Sequence, residues 1–399
     1  MAFLELPGLA FHTGTGWLDF LTGEEASTIA LGPVMFSRAE IDAWATGTEF
    51  TALAATAHGD TAWSPIDFGT SITTSGQRDD FLTETTRGKG TAALWAADGN
   101  AARLADVNAH LDGLKDIATF DVDVGADNLR MSWAVPNFLV AAWIVEYSDP
   151  DFETFLRDVV MPLLDWTTGG NWFATMAASR LMVASYLQDE TLWNDAVAYL
   201  EYHVARTLYH SDFDGANVEP ITGFSFWPAK LDDTTHNESA TEQHWFNAVA
   251  LTGGVYPATN GGTPFPDGTD AEVKRDLGHE VMAMTGWLQA LLTMERVGAS
   301  IPTHVADRVR ANVEWLGIRV LYWIQNGTLH PTHPGTDGSP AGVSSEFNYE
   351  AGWYTAARYY AGDVPAVVDD LMAESDISGA NVIGVCHQTV ERFTEKTLL

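Results

Sequence analysis

The sequence predicts an all-α protein, and three observations carry that expectation. Apolar residues recur at helical spacing along most of the 399 residues. Strand-like alternation is rare. The helical stretches come in pairs joined by short turns, each pair taking roughly 40–50 residues. That cadence, without a strict repeat, suits a ring or solenoid of helical hairpins. With 46% hydrophobic residues the chain can bury a large core.

In order, helices are expected at 38–57, 78–97, 100–118, 128–147, 151–166 and 171–187, then at 190–207, 242–252, 272–297, 303–325, 348–361 and 363–374. Asp149-Pro150 breaks one helix, Thr168-Gly169-Gly170 separates two more, and Gln188-Asp189 caps another. Residues 1–36 are Gly-rich and read as a surface or assembly segment, 37–374 as the helical domain, and 375–399 as a C-terminal extension. The stretches 208–241, 253–271 and 326–347 are loop-like. Connections this long inside a helical domain are uncommon and often serve a binding site. Surface insertion is the other reading.

Charge narrows the function classes. There are 54 acidic against 20 basic residues, a formal charge of -34, and only five of the basic residues are Lys. The 15 Trp, 19 Phe and 11 Tyr exclude a disordered acidic chain. Acid dispersed along the sequence keeps a protein soluble where salt screens its repulsion, so a high-salt habitat is expected. No basic stripe is available to neutralise phosphates, which excludes nucleic acid as a partner. The single cysteine, Cys386, excludes an intrachain disulfide and a cysteine-built metal site. Met1 to Pro7 lacks a basic n-region and an unbroken apolar run, so no signal peptide is expected. No apolar run reaches membrane-spanning length, and no membrane insertion is expected.

Glu272-Val-Lys-Arg-Asp-Leu-Gly-His279 opens a long apolar helix. At 3.6 residues per turn, Glu272, Arg275 and His279 share one face, while Asp276 points elsewhere. That face either rims a cleft or is an ordinary solvated first turn. In Gly169-Gly170-Asn171-Trp172 the glycines permit close backbone approach, and Asn171 is a good N-cap. The same Asn171 amide can stabilise negative charge at a ligand. Phe347-Asn-Tyr349-Glu350-Ala-Gly-Trp353-Tyr354 opens a late helix, and Tyr349 becomes a general acid or base if a cation such as Arg275 lies beside it. Asp127-Asn128-Leu-Arg130 opens another helix, with Asn128 and Arg130 facing a cleft or Asp127 simply capping. His279-Glu280 lacks the second His of a zinc-protease motif. His330 and His333 have ligand-like spacing without supporting acids, and Asp212 to Glu219 lacks the EF-hand spacing. No phosphate cradle or serine elbow is present, and no metal or cofactor is expected. The abundance of tryptophan, Trp172 and Trp353 among them, fits a glycan groove or a tightly packed helical ring.

Several of these segments, in order, resemble the alginate lyase superfamily of polysaccharide lyases, whose fold is an incomplete (α/α) toroid of helical hairpins with long cleft-forming loops. Glu272 to His279 resembles its Glu-x-x-Arg-Asp-x-Gly-His signature, with Leu277 where Gln is common. Gly169 to Trp172 resembles its Gly-Gly-Asn-Trp helix start, followed by Thr191-Leu-Trp-Asn-Asp-Ala196. Phe347 to Glu350 is similar to its late Glu-bearing helix, and Leu94 to Asn100 to an early helix turn, so the resemblance covers about residues 35–361.

The resemblance implies β-elimination on a uronate-containing or other acidic polysaccharide, without a cofactor. Asn171 and Arg275 would neutralise the uronate carboxylate, His279 or a tyrosine would remove the C5 proton, and Tyr349 or Tyr256 would protonate the leaving oxygen. Asn128, Arg130, Trp172, Tyr256, Glu272, Glu350 and Trp353 would bind substrate. The family is usually exported, and a strongly acidic surface repels polyanions unless salt intervenes. An extracellular or virion-associated depolymerase of host surface glycan, in contact with other virion proteins or with itself, reconciles these points. Two alternatives stand beside it. One is a non-catalytic glycan-binding or structural virion protein. The other is an inverting glycoside hydrolase using Glu272 and Glu350, which would need roughly 6.5–9.5 Å between them.

Overall fold

A computed structural model of the chain describes residues 10–12, 17–19, 25–26, 54, 63–122, 126–165, 170–214, 259–260, 263–264, 267–270, 277–326, 356, 359–360 and 365–374. Most of these residues are helical. Of the expected helices, those at 38–57, 242–252 and 348–361 lie outside the described residues apart from single positions. So does the segment 375–399.

Helix boundaries follow caps written into the chain. Thr74 opens α1 (Ser75–Asp98) by accepting the Gln77 amide, and Gly99, at φ 67°, closes it. Asn100 then caps α2 (Ala101–Lys115) through a 3.0 Å hydrogen bond from the Ala102 amide. Next comes α3 (Ala126–Ile144), with Pro136 inside it. Asp149 accepts from the amides of Asp151 and Phe152 and opens α4 (Pro150–Phe155), with Pro150 in the first turn. Lys115 donates to the same carboxylate at 2.7 Å and, with these amides, holds it below the usual aspartate range.

The helix expected over 151–166 is continuous but not uniform. A π-helical turn, Leu156–Val160, separates α4 from α5 (Met161–Leu163). Pro162 explains it: the residue has no amide for the carbonyl four residues back, and its ring crowds that carbonyl. Widening one turn relieves both problems. After α6 (Gly170–Tyr186), Asp189 caps α7 (Glu190–Thr207) at the boundary read from the sequence. The remaining helices are α8 (Ser211–Asp214), α9 (Leu277–Arg296), α10 (Thr303–Asn326) and α11 (Ala366–Glu374).

Strands are short. β1 (Ala10–His12), β2 (Trp17–Asp19) and β3 (Glu25–Ala26) form an antiparallel ribbon. β4 (Ser71–Ile72) pairs in parallel with β5 (Thr119–Phe120), and β6 (Thr259–Asn260) pairs antiparallel with β7 (Thr263–Pro264).

The helices form two rows. In one, α1 packs on α3, α3 on α6, and α6 on α9; in the other, α2, α7 and α10 each back onto the helix preceding them in the chain. Within that second row α2 also meets α4, and α7 meets α10. The first row is buried nearly all round: every residue from Phe173 to Ser185 of α6 and from Glu280 to Met294 of α9 is inside. Such helices carry no amphipathic stripe, because both faces meet protein. Close approach requires small residues. A Cβ on Gly286 of α9 would lie 2.6 Å from the Ala174 carbonyl carbon of α6.

The proline in α3 costs that helix a hydrogen bond, and α6 restores it. Pro136 has no amide for the Ser132 carbonyl, which instead accepts the Ser179 hydroxyl at 2.8 Å. The Ser132 hydroxyl in turn lies 2.8 Å from that of Thr175. Ser179→Ala is therefore predicted to lose ~1–3 kcal/mol, the cost of a buried carbonyl left unpaired. Urea denaturation of Ser179→Ala alone and in a Pro136→Ala background checks this. The second loss should be the smaller, because replacing the proline returns the missing backbone amide.

The α1–α2 contact makes a second prediction. His110 of α2 is buried against Gly88, where a Cβ would meet its imidazole at 2.7 Å, and its Nε2 has no hydrogen-bond partner. Burial depresses its pKa from 6.5 to about 3. Below pH 6.5 the unfolded chain takes up a proton that the folded chain refuses until about pH 3. Stability from this site therefore falls as pH drops through that window, by at most ~1.4 kcal/mol per pH unit. His110→Leu should flatten the profile of thermal midpoint against pH across the same window.

Candidate functional site

Short hairpins decide where the helix starts end up. α1 and α2 are joined through Gly99-Asn100, α6 and α7 through Leu187 to Asp189, and α9 and α10 through Val297 to Pro302. Each hairpin reverses the chain, and the parallel β4–β5 pair, with Ile72 opposite Phe120, brings the starts of α1 and α3 together. Arg78 and Asp127, at the two starts, lie 3.6 Å apart.

Three of the segments read as functional lie at helix starts, those of α3, α6 and α9. Asn128 is buried, and its amide donates to the Leu163 carbonyl at 2.6 Å, tying α3 to the end of α5. Arg130 is half-buried with its guanidinium 4.7 Å from the centre of the Trp133 ring. Asp127, in the first turn of α3, accepts the Val122 amide at 2.7 Å. On α6, Asn171 is buried and Trp172 half-buried. His279 lies in the first turn of α9; its side chain is outside the described residues. Tyr256, Glu272, Arg275, Tyr349, Glu350 and Trp353 are outside them as well.

Six described tyrosines are held in the protonated form. Burial raises the hydroxyls of Tyr147, Tyr186, Tyr199, Tyr202 and Tyr360 above their ordinary range, and that of Tyr359 to about 12. Among the described residues no group of three His, Cys, Asp or Glu could hold a metal ion. No described helix is long and apolar enough to cross a membrane.

Two supports of these helix starts escaped the sequence reading. Arg180, buried in α6, donates to the Leu164 carbonyl at 3.3 Å and to Asp195, and lies 3.6 Å from Asp165. Its guanidinium also covers the Tyr199 ring at 4.9 Å. It thus clamps the chain entering Gly169-Gly170-Asn171 to α6 and α7. The signal was present, since Arg180 is the only charged residue between Asn171 and Ser185. The second support is the buried pair of Glu280 on α9 and Arg319 on α10.

Elsewhere, an open groove of about 430 Å³ runs beside α10, lined by carboxylates including Asp267, Asp307 and Glu314. Asp267 is already engaged there by the Ser211 amide at 2.6 Å and hydroxyl at 3.2 Å. No protein-family model matches the chain, and neither does any curated protein or solved structure.

Proposed function

We propose that this chain is a polysaccharide lyase that cleaves a uronate-containing glycan by β-elimination, at the N-terminal end of a helical row that continues into an incomplete (α/α) toroid. One observation carries the reading. The Gly-Gly-Asn-Trp and Arg-Asp-x-Gly-His segments lie about a hundred residues apart in sequence, yet Asn171-Trp172 and Gly278-His279 lie in the first turns of α6 and α9, which pack side by side. Helix N-termini also favour negative charge, which suits an acidic sugar.

In this mechanism Asn171 and Arg275 bind the uronate carboxylate and stabilise the negative charge that builds on it as the C5 proton leaves. His279 takes that proton. The electron pair of the broken C5–H bond forms the C4–C5 double bond as the C4–O bond breaks, and Tyr349 donates a proton to the departing oxygen. No water is consumed and no cofactor is required. Trp172 and Trp353 supply aromatic faces for sugar rings, and Arg130 a guanidinium at the cleft edge.

Charge sets a condition on this chemistry. A chain of net charge -34 repels a polyuronate until salt shortens the screening length, from ~10 Å at 0.1 M to ~3 Å at 1 M. Incubation with uronate polymers should therefore generate ultraviolet-absorbing unsaturated ends, with KM falling as salt rises. His279→Ala should abolish the absorbance while leaving helical circular dichroism unchanged. New reducing ends without absorbance would replace elimination by hydrolysis. Glycan binding with neither product would overturn the enzymatic reading.

A further inference from the structure

We propose that the buried Glu280–Arg319 ion pair is a positioning device for the first turn of α9, the turn that carries His279; this rests on the lyase reading above. Glu280 is fully buried, and the Arg319 side chain is 5% exposed. The two are joined by a charge-assisted hydrogen bond, and the Arg319 guanidinium lies 4.4 Å from the centre of the Trp315 ring. The pair links the fourth residue of α9 to the second half of α10.

Stability alone does not account for such a pair. Removing two charges from water costs about as much as their attraction returns, and apolar residues of similar volume often hold a site equally well. An apolar contact, however, is indifferent to rotation of the helix by a few degrees. A carboxylate bound to a planar guanidinium, itself held against an indole, accepts one geometry.

The place where that geometry is imposed matters. The first turn of a helix frays most easily, because its amides have no partners within the helix. Within the helix the carbonyls of Leu277 to Glu280 accept from the amides of the following turn. Fixing Glu280 against α10 sets the azimuth of the whole turn, and with it the Cα of His279 one residue earlier. Arg319 and Glu280 are thus positioning residues, acting on the proton-transfer step through the backbone of α9.

The test replaces the pair by apolar residues, Glu280→Leu with Arg319→Met. The thermal midpoint should stay close to that of the wild type. Amide exchange at Val281 to Met284, whose amides bond to the first turn, should accelerate about tenfold or more, while exchange in Phe173 to Ser185 is unchanged. The His279 imidazole resonance, identified by its loss in His279→Gln, should shift or broaden. With a uronate polymer, kcat should fall about tenfold or more with KM held within about twofold.

Should the double variant fail to fold, Arg319→Lys keeps the buried charge but removes the planar fork, and the same resonance and amides are read. An unchanged imidazole signal with unchanged exchange at Val281 to Met284, in whichever variant folds, overturns the proposal. Neither readout needs a substrate. Absence of elimination by the wild type would therefore count against the lyase reading and leave this one to be decided by the spectra.

Discussion

α6 has no face to give to water. Packed on α3, α7 and α9 at once, it is buried from Phe173 to Ser185, and the helices around it must meet that constraint. Small residues are one response: Ala174, Ala177 and Ala178 on α6 itself, and Gly286 where α9 crosses it. Internal satisfaction of polar groups is the other. The Ser132 carbonyl orphaned by Pro136 finds the Ser179 hydroxyl, and Thr175 meets the Ser132 hydroxyl. Interiors this dense transmit displacement rather than absorb it. Near the start of α6, which carries Asn171 and Trp172, Ala174 meets Gly286 in the middle of α9.

The same interior takes up much of the chain's scarce positive charge. Lys89, Arg103, Arg180, Arg206, Arg308 and Arg319 are all buried. Most of these arginines cover an aromatic ring: Arg180 on Tyr199, Arg206 on Tyr202, Arg308 on Phe213 and Arg319 on Trp315. A planar guanidinium can stack on a ring and reach carbonyls or carboxylates at its edge, so one residue ties several helices together. Among the described residues the carboxylates of Glu84, Asp127, Asp270 and Glu280 are buried with them.

Much of the helical order was legible because turns and caps are short-range. Asp149-Pro150, Gly99-Asn100 and Asp189 act through one or two backbone amides each, and the α7 boundaries follow from them directly. The amphipathic pattern was a poorer guide. It holds for α7 and α10, which back onto the first row, but not for α6 or α9, where burial all round removes the stripe. The β4–β5 pair spans two residues on each strand, too few for alternation to register, although it aligns α1 with α3. The site was legible as motifs and not as contacts. The Asn128 amide holds the Leu163 carbonyl, a partner 35 residues away that local pattern does not reveal. Arg180 and Glu280–Arg319 were missed for the same reason, since a buried charge declares its role only through its partner.

The central proposal is spatial: a uronate glycan binds at the starts of α3, α6 and α9. Hydrogen–deuterium exchange with and without a uronate oligosaccharide, in salt high enough to screen the surface, tests it most directly. The account predicts slowed exchange at the starts of those three helices, contiguous across residues 126–130, 170–174 and 277–281. Slowing confined to the carboxylate-lined groove beside α10, around Asp267, Asp307 and Glu314, would contradict it, as would a glycan that leaves all three helix starts unchanged.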